Sequence, residues 1–318
     1  MILILGKNDL DATTEEVISW LEYKRMKWLR INGDSLLKST IHIKKDYSLI
    51  NDIPELNTIW YRRLLNDDLY ESLFESSSIS NVNSVRLYTY MCQEALTALS
   101  DILQNVHAGK WLTHPSELRI SKLNVLRSAH RLNISIPETI ITTSKKELIV
   151  FKALHNRLIT KCITDSPVLV NENDFFLLTT QEINDLFIER IANNFPPSLF
   201  QELIEKEYEI RTFYLDNKFY SMAIFSQKDN QTKVDFRNYN RENPNRTVPY
   251  QLPEYYENDL RKLMIELKIS TASIDIIKSL EGKYIFLECN PVGQIGMTSH
   301  PCNYSLEKII ATYLSENE

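Results

Sequence analysis

The sequence predicts an α/β (α+β) fold in which a parallel-sheet unit comes first and antiparallel, strand-rich structure comes last. Three patterns carry this. Residues 2–5 are a continuous apolar run of the kind that a buried strand needs. Apolar segments then alternate with helical ones through the first third of the chain. After Phe195-Pro196-Pro197, short apolar runs recur in pairs about turn residues, as hairpins require.

Taken in order, residues 15–23 have helical spacing, and 28–32 and 58–62 read as strands. Residues 86–106 form a long helix with Leu87, Met91, Ala95, Leu99, Ile102 and Val106 on one stripe. Ser76-Ser77-Ser78 and residues 81–84 read as a polar loop before it. A new section opens at Trp111-Leu112-Thr113-His114-Pro115, followed by a helix that ends near Leu132. Strands at 138–141 and 158–163 flank a helix at 145–154, and 166–174 leads to a strand at 175–178. Residues 200–204 are a short strand, and 208–215 pairs with 219–225 across Asp216-Asn217-Lys218. A helix at 260–267, a hairpin of 271–277 with 284–289 and a terminal helix at 305–314 complete the chain.

Composition narrows the function. The 318 residues are 43% hydrophobic and 25% charged, and 36 basic against 42 acidic residues give a net charge of -6. That balance lacks the basic footprint of a nucleic-acid binder. No apolar run approaches the roughly 18 residues that span a bilayer, so no membrane partner is expected. The N-terminus has no basic leader or small-residue cleavage site, which with four widely spaced cysteines and no CxxC points to reduced thiols in the cytoplasm. The six histidines show no metal spacing, and neither a Walker A sequence nor GxGxxG is present.

The most informative stretch runs from Ser273 to Pro291. With Glu281-Gly282 as a two-residue turn, Leu280 lies opposite Lys283, and counting outward sets Asp275 across from Glu288. Asn290, two residues beyond Glu288, projects from the same face. Facing carboxylates repel, and a divalent cation reverses that sign; two carboxylates and an amide suit Mg²⁺. Two acids pointing to solvent at a sheet edge is the plainer reading, and a four-residue turn breaks the register.

Lys122 in the first helix of the middle section and Lys161 at the end of an apolar strand are placed to meet phosphates as point charges, although isolated lysines usually only solvate a surface. Glu209 and Arg211 share one strand face, and Asp235 and Arg237 another farther on. Arginines aimed at one cleft would bind anions; a surface Glu–Arg ladder is the alternative.

The order of these parts resembles the ATP-grasp superfamily over most of the chain. It is carried by Trp111, Pro115 and Lys122, then Ile136-Pro137-Glu138-Thr139, Lys161, FQELIEKEYEIRTFYL at 200–215, SIDII at 273–277 and FLECNPVGQ at 286–294. The finer wording is similar to the graspetide branch, the microviridin-type macrocycle ligases, and most of all to the grasp-with-spasm peptide maturases. Here RINGD at 30–34, WYRR at 60–63, YSMAIFSQ at 220–227, DFRNYN at 235–240 and CNYSLEKIIA at 302–311 add to the match.

The resemblance implies an N-terminal pre-ATP-grasp domain at 1–112, a central subdomain at 113–190 and a C-terminal one at 191–318, with ATP held between the last two. It implies phosphate or adenine contacts from Lys122 and Lys161, an adenine hinge of Gln201, Glu202, Leu203 and Ile204, and Glu209 on the ribose side. Arg211 becomes the catalytic arginine and Arg237 a second anion contact, while Asp275, Glu288 and Asn290 match the Mg²⁺ ligands. The partner becomes a precursor peptide with a leader segment, and the resemblance makes a homodimer reasonable while leaving the oligomeric state open. Two departures stand out: residues 164–173 contain no glycine where many members have a glycine-rich flap, and Cys289 replaces the usual valine on the face away from the metal. The implied activity is ATP-driven condensation of Asp or Glu carboxylates with Ser or Thr hydroxyls or Lys amines. The rivals are an amino-acid ligase of the same fold and a non-catalytic precursor-binding scaffold.

Overall fold

A computed structural model describes residues 1–7, 11–40, 50, 53–62, 64, 82–106, 109–117, 120–164, 168–171, 174–177 and 179–316. The chain divides into two compact units, one of residues 1–119, 294–299 and 305–318, the other of 120–293 and 300–304.

The first unit is built on four parallel strands, β1 (Ile2–Gly6), β2 (Trp28–Asn32), β3 (Thr58–Tyr61) and β4 (Lys110–Leu112), in the order β2-β1-β3-β4. All of β1 is buried, which explains its unbroken apolar run. Helices α1 (Ala12–Tyr23), α2 (Gly33–Leu37) and α3 (Val82–Gln104) belong to this unit. The core takes Leu99, Ile102 and Val106 from the expected α3 stripe, whereas Leu87 is exposed. Residues 82–84, expected in a loop, are helical; Ser76-Ser77-Ser78 lie outside the described residues.

The second unit carries two larger sheets. The central sheet is ordered β5 (Thr139–Ser144), β10 (Asn194–Glu202), β6 (Leu158–Lys161) and β9 (Gln181–Ile183). Helix α4 (Lys122–Arg131) precedes it, capped by the Ser121 hydroxyl, which accepts from Asn124 N–H. Helices α5 (Lys145–Leu154) and α6 (Asp185–Arg190) cover one face, with Leu148, Phe151 and Ile188 packing around Phe200. β10 is longer than expected because the register shifts between Asn194 and Ser198, absorbing the two prolines that lack N–H donors. It is an interior strand of this sheet, so the central sheet extends past residue 190. Of the described residues after Lys161, β7 (Val168–Asn171) pairs antiparallel with β8 (Asp174–Leu177), apart from the central sheet.

The second large sheet is antiparallel, ordered β13 (Arg246–Tyr250), β12 (Lys218–Phe225), β11 (Lys206–Leu215), β14 (Thr271–Ser279) and β15 (Tyr284–Asn290). Asp216 and Asn217 alone turn β11 into β12, both at positive φ as a type I′ turn requires. Helix α7 (Glu254–Leu267) packs Tyr256, Leu260, Leu263 and Met264 against Ile210, Ile274, Ile276 and Phe286 on one face of this sheet. The other face carries the alternate residues, Glu209, Arg211 and Asp275 among them. Helix α8 (Gly296–Cys302) follows β15, and α9 (Leu306–Ser315) packs on α1 in the first unit. Among the described residues no helix is long and apolar enough to cross a membrane.

Candidate active site

The β14–β15 hairpin turns through three residues, Leu280-Glu281-Gly282, rather than the expected two. Gly282 N–H donates to Ser279 O at 2.9 Å, and Gly282 takes the left-handed position (φ +79°) of a three-residue loop. Continued unchanged, that register would put Glu288 opposite Ile274, on the core face. A bulge at Leu287 intervenes: Ile276 pairs with Phe286, but Asp275 pairs with Glu288 and Ser273 with Asn290. The expected pairing of the two carboxylates is therefore present, reached through two irregularities that compensate. Cys289 faces the α7 core, and burial pushes its thiol up to about 12.

Each carboxylate is gripped by an arginine. Arg211 lies opposite Asp275 on β11, and its Nη1 donates to Asp275 Oδ1 at 2.7 Å. Arg237, on the connection between β12 and β13, donates from Nη1 to Glu288 Oε1 at 3.0 Å and grips Asp235 with Nε and Nη2. Asp235 and Arg237 thus form a forked pair on a loop rather than a strand face. The Nε of Arg211 is a buried donor with no hydrogen-bond partner among the described residues.

Charge sets the protonation pattern. Burial raises the Asp275 pKa; Arg211 and Arg237 pull it down, Glu288 pushes it further up, and the net shift is upward. Burial also pushes Glu288 up, but Arg237, Lys161 and Lys122 outweigh it and hold Glu288 below the usual range. Lys161 is lowered, first by burial and then by Arg237 and Lys122 against the pull of Glu288 and Asp235. The two sheets of this unit therefore bring Lys161 and the carboxylate hairpin into one electrostatic cluster.

On the central sheet, Lys161 pairs with Leu199, and Ile159 and Thr139 pair with Gln201, all on the face opposite Phe200. Lys122 opens α4 and donates from Nζ to Thr164 O at 3.2 Å. Gln201 donates from Nε2 to Thr139 Oγ1 at 2.8 Å, and Glu202 Oε1 accepts from Glu138 N–H at 2.8 Å. Leu203 and Ile204 line a cavity of about 280 Å³, bounded also by Lys206, Val234 and Leu280.

Glu209 is buried, and its Oε1 accepts from Lys206 Nζ at 2.7 Å and Ser226 Oγ at 2.8 Å. Burial raises its pKa against the pull of Lys206. Sequence reasoning missed Lys206, since residues three apart on a regular strand point to opposite faces. A register shift between Lys206 and Tyr208 turns them to the same side.

Asp275, Glu288 and Asn290 present two carboxylates and an amide from paired positions, a set of hard oxygen donors that fits Mg²⁺. Asn290 Oδ1 also accepts from Val292 N–H at 3.0 Å, which fixes the side chain at the strand end.

No protein-family model and no curated protein matches the sequence. Solved structures do match in fold. A Chryseobacterium gregarium RiPP-associated ATP-grasp ligase, in complex with ADP and a leader and core peptide, superposes with a TM-score of 0.83 at 23% identity, covering 100% of this chain and 97% of that one. Macrocyclase MdnC from Microcystis aeruginosa MRC, bound with precursor peptide MdnA, gives 0.82 at 20% identity over 100% of both chains. The ATP-grasp ligase PsnB, complexed with minimal precursor, Mg and ADP, gives 0.75 at 14% identity over 98% of this chain and 96% of that one. The chain has the ATP-grasp fold. Within that fold its likeness extends along the full length of ligases solved with peptides.

Proposed function

We propose that this protein is an ATP-dependent ligase that activates side-chain carboxylates of a ribosomal precursor peptide and condenses them with Ser or Thr hydroxyls, or Lys amines, to close ω-ester or amide macrocycles. The observation that carries the reading is the facing pair of Asp275 and Glu288, each held by an arginine. Facing acids repel, and a chain that places such a pair beside Arg211, Arg237, Lys122 and Lys161 is arranged to receive a polyanion with its counter-ion. Likeness in fold to ligases solved with precursor and leader peptides supports a peptide as substrate.

Asp275, Glu288 and Asn290 would hold Mg²⁺, which when bound neutralises charge on a triphosphate. Lys122 and Lys161 would neutralise phosphate oxygens, and the segment from Gln201 to Ile204, beside the cavity, would hold the base. Arg211 and Arg237 present fixed N–H donors where charge spreads over the transferring phosphoryl group, and the unpartnered Nε of Arg211 suits an anion. The reaction asks for no nucleophile from the chain. A substrate carboxylate takes the phosphoryl group, a substrate hydroxyl or amine attacks the resulting acyl carbon, and phosphate leaves. The protein contributes position and electrostatics. The leader segment would dock around residues 185–207 and the β11–β12 hairpin, on a cytoplasmic homodimer.

Intact mass of a precursor peptide encoded beside this chain, co-expressed with wild type and with Glu288→Gln, tests the reading. Loss of one water per bond in the wild type, absent in the variant, is expected. A mass gain of whole amino-acid residues would make the protein an amino-acid ligase, and an unchanged mass would leave it a binding scaffold.

A further inference from the structure

We infer that Asp235 is a positioning residue, which fixes the guanidinium of Arg237 against Glu288. The word positioning rests on the function proposed above; the geometry stands without it. Arg237 sits on a loop between β12 and β13, where a long side chain has no strand neighbours to hold it. Its own side chain is 46% exposed, whereas that of Asp235 is 9% exposed. A surface ladder would leave both partners mobile; here one partner is an anchor.

The anchor takes the Nε–Nη2 edge of the guanidinium. Asp235 Oδ1 accepts from the backbone N–H of Arg237 at 3.0 Å and from Nε at 2.9 Å, and Oδ2 accepts from Nη2 at 3.0 Å. The remaining nitrogen, Nη1, is the one that reaches Glu288. A bidentate fork of this kind fixes the plane of the guanidinium as well as its distance.

The loop beneath Asp235 is itself braced. Lys206, held by the buried Glu209, donates from Nζ to Val234 O at 3.0 Å, one residue before Asp235. Thr232, fully buried, donates to Ser226 O at 3.0 Å across the base of the same loop. The orientation of Arg237 thus depends on the brace that Lys206 of β11 gives its loop as well as on Asp235.

The test uses the full chain with Asp235→Asn, Arg237→Gln and the pair Asp235→Asn/Arg237→Gln. In ¹⁵N-arginine spectra the Nε–H signal assigned to Arg237 through Arg237→Gln should be protected from exchange in wild type and lost in Asp235→Asn. Its persistence in Asp235→Asn overturns the inference. With the peptide substrate identified by the mass experiment, Asp235→Asn should lower kcat by about 10–100-fold and leave KM for ATP within about threefold. The double variant should be no slower than Arg237→Gln alone, because Asp235 acts only through Arg237. Multiplying effects, or a fall in kcat that tracks a lower Tm, also overturns it. If no substrate is found, the proposed function fails and the exchange measurement decides the role of Asp235 alone.

Discussion

Arg211 and Asp275 stand directly opposite each other on β11 and β14, and their side chains meet at 2.7 Å with 9% and 10% of their surfaces exposed. Removing only the cation would strand a buried carboxylate. Arg211→Met is therefore expected to lose about 3–5 kcal/mol in urea unfolding near neutral pH. Replacing both, as Arg211→Met/Asp275→Leu, should recover most of that loss, because two apolar groups need no compensation. The single variant should lose less in mild acid, where the already raised Asp275 takes up a proton. Equal losses for the single and double variants would show that packing rather than charge holds this site.

Gly293 is the tightest backbone approach at the site. A Cβ there would lie 2.4 Å from the Cβ and 2.5 Å from the Oγ of Ser273, the residue paired with Asn290. Gly293→Ala should push the 290–293 turn off β14 and weaken Mg²⁺ binding in the presence of ADP by about tenfold. Ser273→Gly in the same chain removes both obstructing atoms and should restore most of the affinity. Calorimetric titration of the single and double variants checks this, and no rescue would place the cost elsewhere.

The periodic parts of this fold are legible in the sequence because burial writes them there: β1 is apolar throughout, and β11 and β14 alternate. What is not legible is irregularity. Counting from an assumed two-residue turn finds Asp275 opposite Glu288 only because the extra loop residue and the bulge at Leu287 cancel. The shift beside Lys206, which brings it to Glu209, has no partner irregularity to cancel it, and so the pair was invisible. Short edge strands such as β9 and β13 bury too little to leave a pattern, and Pro249 argues against β13 until its edge position is known. The Asp235–Arg237 fork is a loop feature, and no strand or helix period reports it.

Lys268 ends α7 in the left-handed conformation, with φ 57° and ψ 38°, while Ile269 N–H returns to Met264 O at 2.9 Å. A side chain is unfavourable in that conformation, and glycine is not. Lys268→Gly should stabilise the protein by about 1 kcal/mol, or roughly 2 °C in Tm, after the greater freedom of the unfolded glycine is subtracted. Differential scanning calorimetry at fixed pH measures it. A fall in Tm would mean that the Lys268 side chain contributes more than its backbone costs.

Lys161 gives the site a pH dependence whose sign can be worked out. Burial, with Arg237 and Lys122 adding to it, holds its pKa below the ordinary lysine value of 10.5. In the free protein the native state gives up this proton before the unfolded chain does, so stability rises as pH climbs from the folded value toward 10.5. A phosphate beside the amine works in the opposite direction, favouring the charged form. Nucleotide binding should then draw a proton onto Lys161 once pH exceeds its folded pKa, and affinity for Mg-ADP should fall with further alkalinity. The limiting slope is about tenfold per pH unit. Titration of wild type and Lys161→Gln with Mg-ADP, from neutral pH to the lysine range, separates this group from the rest. The wild-type curve should bend within that window, and the Lys161→Gln curve should start weaker and lack the bend. A wild-type affinity that stays level up to 10.5 would mean that the Lys161 amine does not meet the phosphates.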